Sequence, residues 1–95
     1  MEKQELVILY VHNEYSIYRM YEWLMQCLVK KMRKGIQPDT EKLAKSSAMY
    51  TLTRLAINRA SAGADCAVHF TPAERLALHR EIAAELVDDA EEANA

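Results

Sequence analysis

The sequence predicts an all-α fold: a three-helix bundle with a long first helix, in one domain spanning residues 1–95. Three observations carry this. Two glycines and two prolines leave little turn punctuation in 95 residues. Two boundary signals, at "RKGIQPDTEKL" and "TPAE", divide the chain into long segments. Apolar residues recur at helical spacing within those segments.

The first segment, residues 2–34, admits two readings. "LVILYV" is β-branched and continuously apolar, which suits a buried strand. A strand there would have only Ala67–Phe70 to pair with. At about 100° per residue, Leu6, Leu9, Tyr10, Ile17, Met20, Tyr21, Leu24, Cys27 and Leu28 share one arc. That phase runs through His12–Asn13, so one helix over 2–34 is the expectation. It would extend about 45 Å, longer than a compact domain of this size is wide. It therefore needs a bend, or a second copy of the chain to cover its overhang.

Asn13 falls within the apolar arc. A buried asparagine must find hydrogen-bond partners, and it either sets helix register or sits satisfied at a bend. His12, Tyr15, Arg19 and Glu22 fall on the opposite side, on one strip at spacings of three and four. Tyr18 and Trp23 also lie off the centre of the arc. A base, acids and phenols so close together raise the question of catalysis, but a helical surface supplies no pocket by itself. The strip is either a solvated face or a contact surface. Tyrosine, tryptophan and arginine are the residue types that anchor interfaces, so Tyr15, Tyr18, Arg19, Glu22 and Trp23 are the candidate partner-binding residues.

The first helix should stop near residue 34. Lys30, Lys31, Arg33 and Lys34 suit the negative end of its dipole. Gly35 suits the left-handed cap, and Ile36 can fold back on the last turn. Pro38 resists continuation, and Asp39 with Glu41 opens a second helix over 39–60. Two apolar stripes mark it: Leu43, Tyr50 and Ile57, and Ala48, Met49, Leu52 and Leu55. It is therefore contacted on two sides. Ser46 and Ser47 lie early in it and allow close helix approach. Neither sits in a nucleophile elbow.

Thr71–Glu74 reads as a capping box with proline at the first helical position. The third helix should cover 71–90, and the tail 91–95 should fray. His79 lies on its apolar face beside Leu76, Ile82 and Leu86. The bland reading is a packed, hydrogen-bonded histidine. A zinc site would recruit Cys66, His69 and His79, but structural zinc usually shows two close ligand pairs. Only one, C-x-x-H, is present, so no metal or other cofactor is expected. The expected core is Leu6, Leu9, Ile17, Met20, Leu24, Leu28, Leu43, Leu55, Ile57, Leu76, Ile82 and Leu86.

Net charge is −2, unevenly spread. Residues 1–29 carry −2, residues 30–59 carry +6 and residues 60–95 carry −6. Either neighbouring segments compensate one another, or a basic surface meets an acidic partner. Lys30, Lys31, Arg33 and Lys34 are the candidate phosphate contacts if that partner is nucleic acid. Against it, "KGIQPDTE" is longer than a helix-turn-helix turn. No stretch of about 18 apolar residues exists, so no membrane span is expected. The opening "MEKQEL" lacks a signal-peptide pattern. The expected compartment is the cytoplasm, with Cys27 and Cys66 reduced.

The run "VHNEYSIYRMYEWL…KKMRKGIQPDTEKLAKSSAM" resembles small uncharacterised proteins encoded by bacteriophages and prophages. The resemblance covers roughly residues 5–50 and brings no assigned site. It implies a context: small products in the bacterial host's cytoplasm that bind host or phage proteins, some as inhibitors of defence systems. The function expected is thus non-enzymatic binding of another protein, by a homodimer. A nucleic-acid-binding regulator using the basic segment 30–59 is the alternative.

Overall fold

A computed structural model describes residues 1–64 and 67–95. The described residues are helical with short connections, as the all-α expectation requires. Five helices appear where three were expected: α1 (Lys3–Asn13), α2 (Tyr15–Arg33), α3 (Thr40–Ala44), α4 (Ser47–Gly63) and α5 (Pro72–Asn94).

The long first helix is broken at Glu14. Its backbone is extended, at φ −87° and ψ 113°, and it both ends α1 and starts α2. This is the bend that the helix length called for, and it turns the buried face. α1 buries Val7 and Val11, whereas α2 buries Ile17, Tyr21, Leu24 and Val29. The expected arc therefore fails at two positions. Leu9, expected in the core, is exposed. Asn13, expected to be buried, is exposed and donates Nδ2–H to the Leu9 carbonyl at 2.8 Å. Several other expected core residues, among them Leu6, Met20, Leu28, Leu43, Leu55 and Ile57, pack around the centre but are only half-buried.

The second helix is also divided. Ser46 does not extend it; its hydroxyl accepts the Met49 amide at 3.1 Å and caps α4. Serine competes for backbone groups and favours such caps over helix interiors. The break rotates Tyr50 out to solvent, so the Leu43–Tyr50–Ile57 stripe does not form one buried line. The other stripe holds, with Met49 and Leu52 wholly buried. Ala56 and Ala60 continue that face toward α1, and the phenol of Tyr10 occupies the place a β-carbon on Gly63 would take. Any side chain at Gly63 must displace it.

The boundary signals at 34–39 and 71–74 are realised. Gly35 takes φ 83°. The Gly35 amide donates to Met32 and the Ile36 amide to Lys31, the double closure that ends a helix in a left-handed cap. Asp39 caps α3 through the Lys42 amide. Thr71 and Glu74 exchange reciprocal bonds at 3.1 and 2.9 Å. Lys3 reaches across from α1 to Glu74 at 2.7 Å. That ammonium and the Thr71 amide lower the Glu74 carboxyl to about 2. Ala67–Phe70 forms no strand, and its Val68 amide is held by Ser61. α5 continues through Asn94, so most of the tail expected to fray is helical.

α5 lies against α2, α3 and α4, and α1 lies against α4 and α2. Buried in this arrangement is His79. Its Nδ1–H donates to the Ala44 carbonyl at 3.0 Å, at the α3–α4 break. Nε2 then accepts from the Thr53 hydroxyl at 2.8 Å and faces Arg75 Nε at 3.4 Å. The histidine is packed and satisfied, as expected. Burial pushes its pKa down, the Ala44 bond works against this, and Arg75 adds to it.

A folded imidazole that resists protonation contributes stability that is complete above about pH 6.5, its unfolded pKa, and lost as pH falls through the lower folded value. Thermal melts at roughly pH 7.5 and 5 should show this acid loss in the wild type and a smaller one in His79→Gln. Equal losses in both proteins would reject the account. His79→Ala, which strands the Ala44 carbonyl, should cost about 1–3 kcal/mol at neutral pH.

Candidate functional site

The bend at Glu14 decides where the aromatic strip goes. It directs one side of α2 into α5 and leaves another beside α4. The strip read from the sequence accordingly splits in two.

One half is engaged inside the chain. His12, expected to face solvent, is half-buried, and its Nε2 lies 2.6 Å from Glu85 Oε1 on α5. Tyr21 O–H donates to Asp89 at 2.5 Å. Its pKa is pushed up by burial, by the bond to Asp89 and by the neighbouring carboxylates of Glu85 and Asp89. That phenol stays protonated throughout the neutral range and serves as a donor. Tyr18 stacks on Tyr21 with ring centroids 6.4 Å apart and an interplanar angle of 17°, leaving it 38% exposed. This group joins α1, α2 and α5; His12 Nε2 and the Tyr21 hydroxyl have their partners on α5.

The other half faces outward. Tyr15 is 73% exposed and Trp23 62%. With Arg19 they form an i, i+4, i+8 ridge on α2, and Arg19 lies over the Tyr15 ring at 5.8 Å. Arg19 and Trp23, with Met20, Leu24, Ala48 and Thr51, line a groove of about 490 Å³ between α2 and α4. That volume lies within the range of about 300–1,000 Å³ usual for ligand sites. Glu22 is exposed beside the ridge without lining the groove.

Sequence reasoning missed the second wall. Ala48 and Thr51 come from α4, which sits beside α2 only because the chain breaks at Ser46 and Glu14. The available signal was Ser46 as an N-cap, which sets the start of α4 and hence which of its residues turn toward α2.

The groove lacks the parts of a reaction centre. Its one titratable lining residue is Arg19, whose guanidinium offers donors and no acceptor. Of the three residues weighed for zinc, two are described. Cys66 lies outside the described residues, His79 has both ring nitrogens committed, and His69 is exposed with its backbone carbonyl bonded to Lys3. Thr53 and His79 resemble a hydroxyl–base pair, but Thr53 is wholly buried and its hydroxyl also contacts the Met49 carbonyl at 2.9 Å.

Among the described residues, no cation of the basic segment pairs with a carboxylate of the acidic one. Lys45 pairs with Glu41 in its own segment, and Glu41 is forked by Arg80 of α5 at 2.7–3.2 Å. Among the described residues, Lys30, Lys31, Arg33, Lys34, Lys42 and Arg54 meet no carboxylate. The chain matches no protein family, no curated protein and no solved structure. No helix among the described residues is long and apolar enough to cross a membrane.

The split in the strip is measurable. Tyr15→Ala and Trp23→Ala should leave unfolding free energy within about 0.5 kcal/mol of wild type. Tyr21→Phe, which strips Asp89 of its donor, should cost about 1–2 kcal/mol. Urea unfolding followed by circular dichroism makes the comparison. A large loss in Trp23→Ala would show that the ridge belongs to the core.

Proposed function

We propose that the chain is a non-enzymatic protein-binding module that seats a helix of its partner in the α2–α4 groove. The observation that carries this reading is the arrangement of Arg19 and Trp23 on an apolar groove, with Tyr15 beside them. An exposed tryptophan and an exposed tyrosine contribute little to folding, yet they are residues that dominate binding energy when a partner covers them. A groove between two helices accepts an amphipathic helix through its apolar face. The partner helix is expected to carry a carboxylate near its apolar anchor, because Arg19 meets no carboxylate among the described residues and Arg54 lies one turn from Thr51 on α4.

The resemblance to small phage products suggests a host protein as that partner, a component of a defence system among them, and surface occlusion as the mechanism. On that reading the encounter belongs in the bacterial cytoplasm. A homodimer is compatible with this reading, the exposed ridge of one copy lying against another. Light scattering with size exclusion separates the two forms; a mass that stays at one chain across concentrations excludes the dimer.

A direct test uses Trp23, the one tryptophan of the chain. Partner capture from host extract should fail for Trp23→Ala and for Arg19→Glu, and persist for Tyr18→Ala. With the captured partner purified, each of the two groove variants should weaken binding by about 2 kcal/mol, roughly 30-fold. Partner binding should also shift the emission of Trp23. Capture that survives both groove changes would remove the proposal.

The second reading, a nucleic-acid regulator, draws on the unpaired cations Lys30, Lys31, Arg33 and Lys34 at the end of α2. It predicts a gel shift that weakens steeply with salt and is lost on Lys→Glu changes there. The absence of a shift at low salt dismisses it.

A further inference from the structure

A second concavity lies at the other end of α2, where the chain turns into α3. Its volume is about 220 Å³. Leu28, Ile36, Pro38 and Leu43 supply apolar walls, and Lys31 and Lys42 stand among them. Asp39 also lines it, but one of its carboxylate oxygens accepts the Lys42 amide at 3.0 Å and is committed to capping α3. The charged side chains at the mouth are thus two ammonium groups and one carboxylate, a net positive charge. Ser46, the cap of α4, completes the lining.

The walls are held before any ligand arrives. The left-handed Gly35, the paired amides of Gly35 and Ile36, the fixed φ of Pro38 and the Asp39 cap together set the path of the turn. Ile36 is left 52% exposed at the rim. The left-handed cap accounts for an apolar residue here, folded back toward the last turn of α2, and leaves the rest of its surface to line the pocket.

We infer that this pocket binds a branched aliphatic group bearing a carboxylate, with the apolar part against Leu28, Ile36 and Leu43 and the carboxylate between Lys31 and Lys42. The volume falls below the range of about 300–1,000 Å³ for drug-sized ligands, so it admits a single residue-sized group. Aromatic stacking platforms are absent from its lining, which argues against an unpaired nucleobase. The same chemistry has two sources: a free branched-chain acid, or the C-terminal residue of a polypeptide. The site is independent of the α2–α4 groove, so either can fail without the other.

The test is a titration of the full chain followed by amide chemical shifts. The probes are 4-methylpentanoate and the peptide Ala-Ala-Ala-Leu with a free carboxylate, each against its amide. Saturable shifts confined to Leu28 and residues 35–43 are expected from at least one acid, with its amide weaker by about tenfold or more. The acid that binds more tightly names the source. Lys31→Glu and Lys42→Glu should each weaken it about tenfold, and Ile36→Glu should abolish it. These three side chains are exposed, so unchanged circular dichroism is expected alongside the loss. No saturation with either acid by about 10 mM, amides that bind as well as the acids, or lysine variants that bind as the wild type does would each overturn the assignment.

Discussion

The imidazole of His79 ties the architecture together. The chain stops being helical at Lys45, and the Ala44 carbonyl is left without a partner inside α3. A buried carbonyl in that position costs about 1–3 kcal/mol if nothing reaches it. His79 reaches it from α5 and holds Thr53 of α4 with its other nitrogen. One ring thus closes the junction between two helices from a third. Arg75, one turn earlier, donates to the Tyr50 carbonyl and lies over the Tyr50 ring at 4.2 Å. Arg80 forks Glu41 of α3, while Glu85 and Asp89 engage His12 and Tyr21. Along α5, polar contacts therefore fix α4, α3, α1 and α2. Apolar burial by Leu78, Ile82, Leu86 and Ala90 supplies the larger, non-directional part of the stability. The polar contacts choose the register in which that burial occurs.

Once α5 has placed α2 through Tyr21, a straight first helix cannot also cover α4. The break at Glu14 resolves this. It lets Val7 and Val11 meet the α4 face that carries Ala56 and Ala60, where small side chains allow close approach. It also explains why Leu9 is exposed: the face of α1 that would continue the α2 stripe is not the face that α4 covers. The misplacement of Asn13 in the sequence reading has the same origin. Its side chain bonds back to the Leu9 carbonyl at the end of α1, a role typical of residues beside a helix end.

Boundaries with capping chemistry were legible in the sequence, and boundaries set by packing were not. Gly35, Asp39 and the Thr71–Glu74 box each carry a local reason for a helix to stop or start, and each appears where that reason placed it. Glu14 itself has none, since its side chain makes no cap bond and no proline or glycine adjoins it. The one local signal is Asn13, read as satisfied at a bend, which bonds back to Leu9; it does not by itself fix the break, and tertiary contact decides it. Ser46 is intermediate, since a cap was readable but two serines could equally sit in a helix that needs small residues. The aromatic strip was legible as residues, not as a shape. Sequence spacing grouped Tyr15, Tyr18, Arg19, Glu22 and Trp23, but separating Tyr18 from the ridge required knowing that α5 covers its side of α2.

That separation bears on how the two faces of α2 differ. On the α5 side, the polar groups are matched within the chain: His12 with Glu85, Tyr21 with Asp89. On the α4 side, Arg19 lies over the Tyr15 ring and meets no carboxylate among the described residues, and Trp23 shows most of its surface to water. A polar residue at either exposed position would fold as well, because neither side chain closes a buried bond or fills the core. The fold therefore requires the first face and leaves the second free. Folding explains a tyrosine at 21; it does not explain a tryptophan at 23. What Trp23 shares with Arg19 is a groove whose two walls come from helices already anchored elsewhere, α2 by Tyr21 and α4 by Thr53. A partner can take up that groove without disturbing the contacts that hold it open, which is the physical condition for binding at low cost in reorganisation.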